Sequence, residues 1–288
     1  MRGIRLMTAC QAAACLGVSL MAITMAGAGR NALVLQTLAA VLALGLALVV
    51  ARFWRKARWR YWLLIAACAL ALVWTLMTGT ALEGARRWLT LGPVQLHTAF
   101  LALPLAVWAF ASGFEDRRVA PVAAGLSFAL LYQHDAASSL AWALALGVAT
   151  LIQRPRQLLP WAVVAVAAVF AYSAWTEPDT LPAVPYVEGV LAAGFAASPV
   201  VGALTAILMV SLPAPFLLVA ATRPERRVEA LALAALWAGW VFANLFGNYP
   251  APVLGYGAAP ILAWGLSIGL VFAEPAKAEL ANEGDPAP

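Results

Sequence analysis

The chain has 288 residues, of which 64% are hydrophobic and 11% are charged. An ordinary soluble domain carries about a quarter charged residues. This composition excludes a soluble enzyme and a disordered protein. The formal net charge of +5 does not indicate a nucleic-acid-binding protein either, because the basic residues form no stripe beside aromatic residues on a soluble face. The expected solvent is a lipid bilayer.

Ten apolar runs follow one another along the chain, and most are close to the roughly 20 residues that a helix needs to cross a bilayer. Runs this long and this solidly apolar predict helices, not a β-barrel. We therefore expect an all-α polytopic membrane protein with about ten transmembrane helices, formed as one domain by residues 1–273. The polar segment 274–288 is expected to be a disordered cytoplasmic tail. The runs are 9–27, 32–51, 61–80, 96–113, 119–132, 136–153, 158–175, 189–221, 228–247 and 253–273.

Three of these runs need interpretation. The first could be mistaken for a signal peptide, but the chain stays apolar after it, so we expect it to be retained as an anchor. Run 119–132 is short, and either borrows Gln133 and His134 or forms a half-buried helix. Run 189–221 is long for one span. We expect 200–221 to cross the membrane and 189–199 to lie at the surface or re-enter.

The distribution of basic residues predicts the orientation of the chain. With ten spans and a cytoplasmic N-terminus, 15 of the 18 Lys and Arg residues fall on the cytoplasmic side. Cytoplasmic segments carry an excess of Lys and Arg in membrane proteins. We therefore expect both termini in the cytoplasm. The basic residues facing outward are Arg30, Arg86 and Arg87.

The outward segments carry the polar residues that could do chemistry. Their combination of acids, arginines and histidines suggests a site for an anionic, lipid-borne or periplasmic substrate. Neither histidine has a Cys, His or Asp set at zinc-ligand spacing, so no zinc site is expected. The residues are Glu83, Arg86, Arg87, His97, His134, Asp135, Glu177, Asp179 and Glu188.

Four motifs, in the same order and at similar spacing, resemble those of the SEDS family (shape, elongation, division and sporulation; the FtsW/RodA/SpoVE group). Segment 84–93, GARRWLTLGP, is similar to G-A-x-R-W-I-x-L-G after the third span. Gln133-His134-Asp135 is similar to Q-P-D, and 249–259, YPAPVLGYGAA, to L-P-L-P-F-I-S-Y-G-G-S. A weaker match runs from Leu181-Pro182 to Gly202.

The resemblance implies a protein of peptidoglycan assembly in cell division or cell shape, in the bacterial inner membrane. The family polymerises lipid II, an undecaprenyl-linked saccharide, into glycan strands on the periplasmic face. The implied activity is therefore that of a peptidoglycan glycosyltransferase. The implied partners are lipid II, membrane lipids and a transpeptidase (penicillin-binding protein), with no nucleic acid. No cofactor is required, although a divalent cation is left open.

The same resemblance assigns candidate substrate-binding residues. Guanidinium groups recognise phosphate well, so Arg86 and Arg87 together form a candidate clamp for the lipid pyrophosphate. Trp88 would anchor their loop at the membrane interface, and Tyr256 is the tyrosine of the S-Y-G-G-S signature. The alternative for the two arginines is that they extend to lipid headgroups as ordinary loop charges.

Two acids are candidates for the catalytic base that removes the proton of the acceptor hydroxyl. Glu188 falls at the family's catalytic Asp when the alignment starts from Gly202, but Val187 falls there when it starts from Leu181-Pro182. The alternative for Glu188 is a carboxylate at a helix start. Asp135 is the second candidate, and its alternative is an N-cap for the helix that follows.

Several polar residues of the family are missing here, which favours the fold over the activity. The family's Q-P-S-E segment reads His97-Thr98-Ala99-Phe100, and its E-E pair reads Ala196-Ala197. The signature at 255–259 lacks both serines. A catalytically degenerate relative that acts as a membrane scaffold is therefore an alternative. A transporter of lipid-linked saccharides or other solutes is a further one, against which the near absence of charge in the apolar runs counts.

Overall fold

A computed structural model describes residues 2–54, 60–82, 85–92, 94–177 and 183–273. The predicted tail at 274–288 lies outside these residues, as do Glu83 and Asp179 and parts of two family motifs, Gly84, Pro93 and Leu181-Pro182. The helices are α1 Arg2–Met25, α2 Arg30–Phe53, α3 Tyr61–Thr78, α4 Thr98–Ser112, α5 Val119–Tyr132, α6 Ala136–Gln153, α7 Leu158–Thr176, α8 Val190–Ala197, α9 Pro199–Val210, α10 Ala214–Thr222, α11 Arg227–Phe246 and α12 Ala258–Phe272, with a 3₁₀ turn at Pro224–Arg226.

The apolar runs form helices, as the sequence predicts, and the protein is a multi-pass membrane protein. Among the described residues, seven helical segments are long and apolar enough to cross a membrane, when the nearly continuous α9 and α10 count as one and the 3₁₀ turn counts with α11. Three further apolar helices, α4, α5 and α12, have 14 or 15 residues. Run 189–221 divides as expected, because Ser198 is extended between α8 and α9. Helix α5 ends at Tyr132, so the expectation that it borrows Gln133 and His134 is wrong.

Helices α4, α6, α11 and α12 form the centre of the bundle. Nearly every residue of α4 and α12 is buried, whereas α2 leaves many leucines and valines exposed, as on a lipid-facing surface. Small residues allow close approach: a Cβ on Gly239 of α11 would lie 2.5 Å from the Cα of Ala141 in α6. The indole N–H groups of Trp142 and Trp237 donate to serine hydroxyls on neighbouring helices, 2.9 and 3.1 Å away.

Three short strands between α3 and α4 are an addition to the predicted all-helical architecture. Strands β1 Thr80–Leu82, β2 Ala85–Leu91 and β3 Val94–His97 form an antiparallel sheet in the order β1-β2-β3. The register places Trp88 opposite His97 and Leu89 opposite Leu96. The sheet holds a segment that the sequence shows as a loop.

The two ends of the bundle differ in their charged residues. One end, the basic end, has Arg5 at the start of α1, Arg52 at the end of α2, and the buried Arg226, which donates to the Ala273 carbonyl at 3.1 Å. The other end, the site end, has the sheet, the α5–α6 junction at 133–135, the turn 184–189 and the loop 247–257 between α11 and α12.

Candidate active site

The segments of the site end surround a small cleft of about 20 Å³. It brings together four of the six residues assigned from the sequence, which are separated by up to 101 positions in the chain. In its present form the cleft has room for about one water molecule. The lining residues are Arg87, Trp88, His97, Phe100, Asp135, Ala137, Ser138, Glu188, Trp240, Asn248, Tyr249 and Pro250.

The two arginines of β2 lie on opposite faces of the sheet. Successive side chains of a strand point to opposite faces, so neighbouring residues cannot both face the cleft. Arg87 is 5% exposed and donates to the backbone carbonyl of His134. Arg86 is exposed and donates to the Leu76 carbonyl at 3.0 Å. The two guanidinium groups therefore do not form an adjacent clamp in this structure, and Arg87 alone of the pair is in the described lining of the cleft.

Trp88 packs inside the site. Its indole meets the His97 imidazole edge to face, with ring centroids 5.6 Å apart, and the Arg87 guanidinium carbon lies 5.9 Å from the indole centroid. The predicted interface anchor is thus a wall of the cleft, because the β2–β3 register places Trp88 directly opposite His97.

A buried histidine–aspartate pair lies at the centre of the cleft. The Nε2 of His97 is 3.4 Å from Oδ2 of Asp135, and the two residues are 7% and 1% exposed. The Nδ1 of His97 has no hydrogen-bond partner in the described structure. The pair was not predicted from the sequence because 37 residues separate its members. The fold brings the β3–α4 boundary, with His97, next to the α5–α6 boundary, with Asp135. The available signal was that both are polar residues at the ends of apolar runs.

The environment of His97 disfavours its charged form. Burial lowers the pKa of this imidazole, Asp135 opposes the shift, and Arg87 adds to it. Loss of hydration is the largest of these effects, since a charged group interacts less well with an apolar interior than with water. A neutral imidazole can accept a proton, so His97 has the form that base chemistry requires.

Asp135 is an N-cap, as the alternative interpretation of the sequence has it. Its Oδ1 accepts from the Ser138 backbone N–H at 3.0 Å, at the start of α6. Its Oδ2 faces His97. The same carboxylate can therefore fix the helix start and interact with the cleft, because its two oxygens have separate roles.

Glu188 lies in the turn that precedes α8. Its Oε2 accepts from the Val184 backbone N–H at 2.8 Å, while the N-cap of α8 is Gly189. The carboxylate therefore stabilises the turn that leads into α8. Glu188 lines the cleft, whereas Val187 uses its carbonyl to accept from the Ala251 N–H at 3.0 Å. Of the two aligned positions, Glu188 is the one that reaches the other site residues.

The loop 247–257 closes the cleft and is fixed by buried amides. Asn244 of α11 donates to the Tyr249 carbonyl at 2.6 Å and to the Glu188 carbonyl at 3.2 Å, joining this loop to the turn 184–189. Gln36 of α2 donates to the Gly255 carbonyl at 2.9 Å and accepts from the Gly257 N–H at 3.1 Å. Neither amide was among the residues assigned to the site from the sequence, although each is an amide within an apolar run.

Tyr256 lies elsewhere in the same loop. Its N–H donates to the Tyr186 carbonyl at 2.8 Å, and the two rings pack edge to face at 5.9 Å. Burial raises the pKa of Tyr256, with Tyr186 adding to the shift. The described lining of the cleft does not include Tyr256. The loop turns Tyr256 towards Tyr186, and its substrate-binding role stays a prediction.

The donor set of the cleft does not resemble a metal site. Among the described residues, no group of three or more His, Cys, Asp and Glu side chains is arranged to hold a metal ion. One histidine, two carboxylates and a guanidinium group instead suit proton transfer and the binding of an anion.

Comparisons with known proteins identify the fold. The chain is similar to the rod shape-determining protein RodA of Thermus thermophilus, with 22% identity over 94% of this chain and 95% of that one, and a TM-score of 0.65. A point variant of that protein gives 21% identity and the same TM-score, covering 94% of this chain and 96% of the other. A chain from a peptidoglycan synthase complex that coordinates polymerization and crosslinking gives 22% identity, the same two coverages and a TM-score of 0.68.

The sequence comparisons are negative. No protein-family model matches the chain, and no curated protein matches it significantly. The motif resemblance and the structural similarity agree with one another, and both extend over most of the chain. The chain therefore has the fold of RodA, the SEDS-type membrane fold that its motifs imply.

Proposed function

We propose that this protein is a SEDS family member of peptidoglycan assembly that polymerises lipid II at its site end. The observation that carries the proposal is the cleft in which Arg87, Asp135 and Glu188 meet on a RodA fold. The protein would lie in the bacterial inner membrane with the site end facing the periplasm, as the basic residues at the opposite end favour.

The groups in the cleft match the needs of glycosyl transfer. An acceptor sugar hydroxyl attacks the anomeric carbon of the donor, its proton passes to a base, and the bond to the lipid pyrophosphate breaks. Glu188 is the proposed base. Arg87 is placed to stabilise the negative charge that develops on the leaving pyrophosphate. The cleft must widen to admit a saccharide, and the loop 247–257 and the turn 184–189 are the segments that would separate.

Polymerisation of lipid II by the purified protein tests the assignment. Arg87→Gln and Glu188→Gln should each lower strand formation about 100-fold, as removal of one charge-stabilising or proton-transferring group does. Arg86→Gln is the matched control, since it changes the neighbouring residue on the other face of β2. We expect it to keep activity within about twofold, because surface changes of this kind are nearly neutral. Full activity in both cleft variants would contradict the site.

A non-catalytic scaffold is the second candidate, and one observation favours it. Phe100, at the position of the family's missing glutamate, packs against Trp240 with ring centroids 4.4 Å apart and fills part of the cleft. A scaffold would support assembly with a transpeptidase partner without making strands. Absence of strand formation by the wild type, with a stable complex with that partner, would favour this candidate.

A further inference from the structure

A second cavity, far larger than the cleft, lies between α1 on one side and the paired helices α2 and α12 on the other. Its volume is about 400 Å³. Helix α12 packs closely on α2, since a Cβ on Gly265 would lie 2.4 Å from the Ala43 carbonyl. Helix α1 does not fill the space beside α2 and α12, which leaves a groove between the three helices. We call it the α1 groove.

The lining of the α1 groove is mostly apolar, and many of its residues are small. Alanines at positions 9, 12, 40, 43, 47 and 51 leave space that larger side chains would fill. Leu44 and Leu48 are 62% and 63% exposed at its edge, so the groove opens sideways to the hydrocarbon. A hydrocarbon chain can therefore enter from the bilayer without crossing a polar barrier.

The far end of the groove is closed by polar side chains that are already engaged. Ser19 donates to the Leu254 carbonyl at 2.9 Å, and Gln36 donates to the Ser19 hydroxyl at 2.8 Å. These hydrogen bonds satisfy the groups at the site end of the groove. A lipid headgroup at this end would have to replace the hydrogen bonds that Ser19 and Gln36 make with the loop 247–257.

The basic end of the groove carries positive charge. The two charged residues among the described lining are Arg5 and Arg52, and both are exposed. From Arg5 to Ser19 helix α1 rises about 21 Å at roughly 1.5 Å per residue. That length exceeds the half-thickness of about 15 Å of the hydrocarbon core. The groove can therefore take an acyl chain of one leaflet whose headgroup rests between the two arginines.

We propose that the α1 groove binds one anionic glycerophospholipid of the bilayer, with its phosphate at Arg5 and Arg52 and one acyl chain among the alanines. Charge complementarity selects the headgroup, because basic residues between membrane helices attract anionic lipids. A zwitterionic lipid of the same chain length makes the same apolar contacts but lacks the net charge. This site is separate from the cleft and does not depend on the proposed polymerase activity.

Native mass spectrometry of the delipidated full-length protein, titrated with phosphatidylglycerol or phosphatidylethanolamine of matched chains, tests the proposal. We expect preference for phosphatidylglycerol, and binding about 10- to 30-fold weaker in the double variant Arg5→Gln with Arg52→Gln. The matched control is Arg2→Gln with Arg156→Gln, two exposed arginines of the basic end that do not line the groove. The control should bind as the wild type does.

A groove-filling variant separates the groove from general surface charge. Ala12→Phe should abolish the bound lipid, whereas Ala13→Phe, on the next and exposed residue, should not. Equal binding of the two phospholipids would overturn the proposal. So would preferential binding of undecaprenyl phosphate that Ala12→Phe removes and the arginine changes leave intact, since that result would assign the groove to a polyprenyl chain.

Discussion

At the scale of single residues, the cleft depends on which face of an element each polar side chain occupies. Arg86 and Arg87 are adjacent in sequence, yet one lies outside the site and the other is buried in it. His97 and Asp135 are distant in sequence and form its central pair. Strand register and the positions of helix starts therefore determine which polar side chains enter the cleft, and residue type alone does not identify them.

The buried His97 should make stability depend on pH. Its folded-state pKa is lowered, so near and below pH 6.5 the unfolded chain binds a proton that the folded protein resists. Stability is present above that range and is lost as the pH falls towards the folded-state pKa. The slope approaches roughly 1.4 kcal/mol per pH unit for one proton. Melting temperatures in detergent between pH 8 and pH 5 measure it.

His97→Gln is the control for this slope, because glutamine does not titrate. We expect the variant to lose less stability than the wild type over the same range. The same pH dependence in both proteins would show that other groups dominate acid unfolding.

At the scale of elements, the α5–α6 junction positions the site. Helix α5 ends because His134 adopts a left-handed conformation, φ 53°, and its N–H then donates to the Leu131 carbonyl at 3.0 Å. This conformation also directs the His134 carbonyl to Arg87 and starts α6 at the Asp135 cap. The family has proline at this position. Proline fixes φ near −65°, so the backbone of this junction requires a residue other than the family's.

Restoring the family residue should therefore destabilise the protein. His134→Pro is expected to cost about 3 kcal/mol, since it forces a different backbone conformation and removes the N–H that donates to Leu131. The His134 ring also contacts the Glu177 carboxylate, Nδ1 to Oε2 at 2.6 Å, and any residue without the imidazole loses this contact. His134→Gly loses it as His134→Pro does but tolerates positive φ, so it is the matched control. Thermal unfolding should place the proline variant roughly 5–10 °C below the glycine variant. Equal melting temperatures would contradict this account of the junction.

Helices were predictable from sequence where apolar runs are continuous and flanked by charge. The bounds of the predicted runs 119–132 and 136–153 coincide with those of helices α5 and α6. The sheet was not predictable from the sequence. The seven residues of β2 include two adjacent arginines and show no clear alternation of polar and apolar side chains. Four of the six residues assigned to a site from the sequence line one cleft. The separation of Arg86 from Arg87 and the meeting of His97 with Asp135 could not be predicted, since both depend on register.

At the scale of the whole molecule, the two ends of the bundle present different groups. The cleft with its acids and Arg87 lies at the site end, and the mouth of the α1 groove lies at the basic end. Helices α1 and α2 connect them, because Ser19 and Gln36 close the groove and also hold the loop 247–257 that covers the cleft. The same two helices therefore line the groove and hold that loop in position.

The orientation of these ends across the membrane is the remaining whole-molecule prediction. Arg86 is exposed at the site end and Arg156 at the basic end. In a protein with Cys10, Cys15 and Cys68 replaced by alanine, Arg86→Cys should react with a membrane-impermeant maleimide in intact spheroplasts. Arg156→Cys should react only after the membrane is permeabilised, because the excess of basic residues favours a cytoplasmic position for the basic end. Reaction of Arg156→Cys without Arg86→Cys would invert the orientation and place the cleft away from any periplasmic substrate.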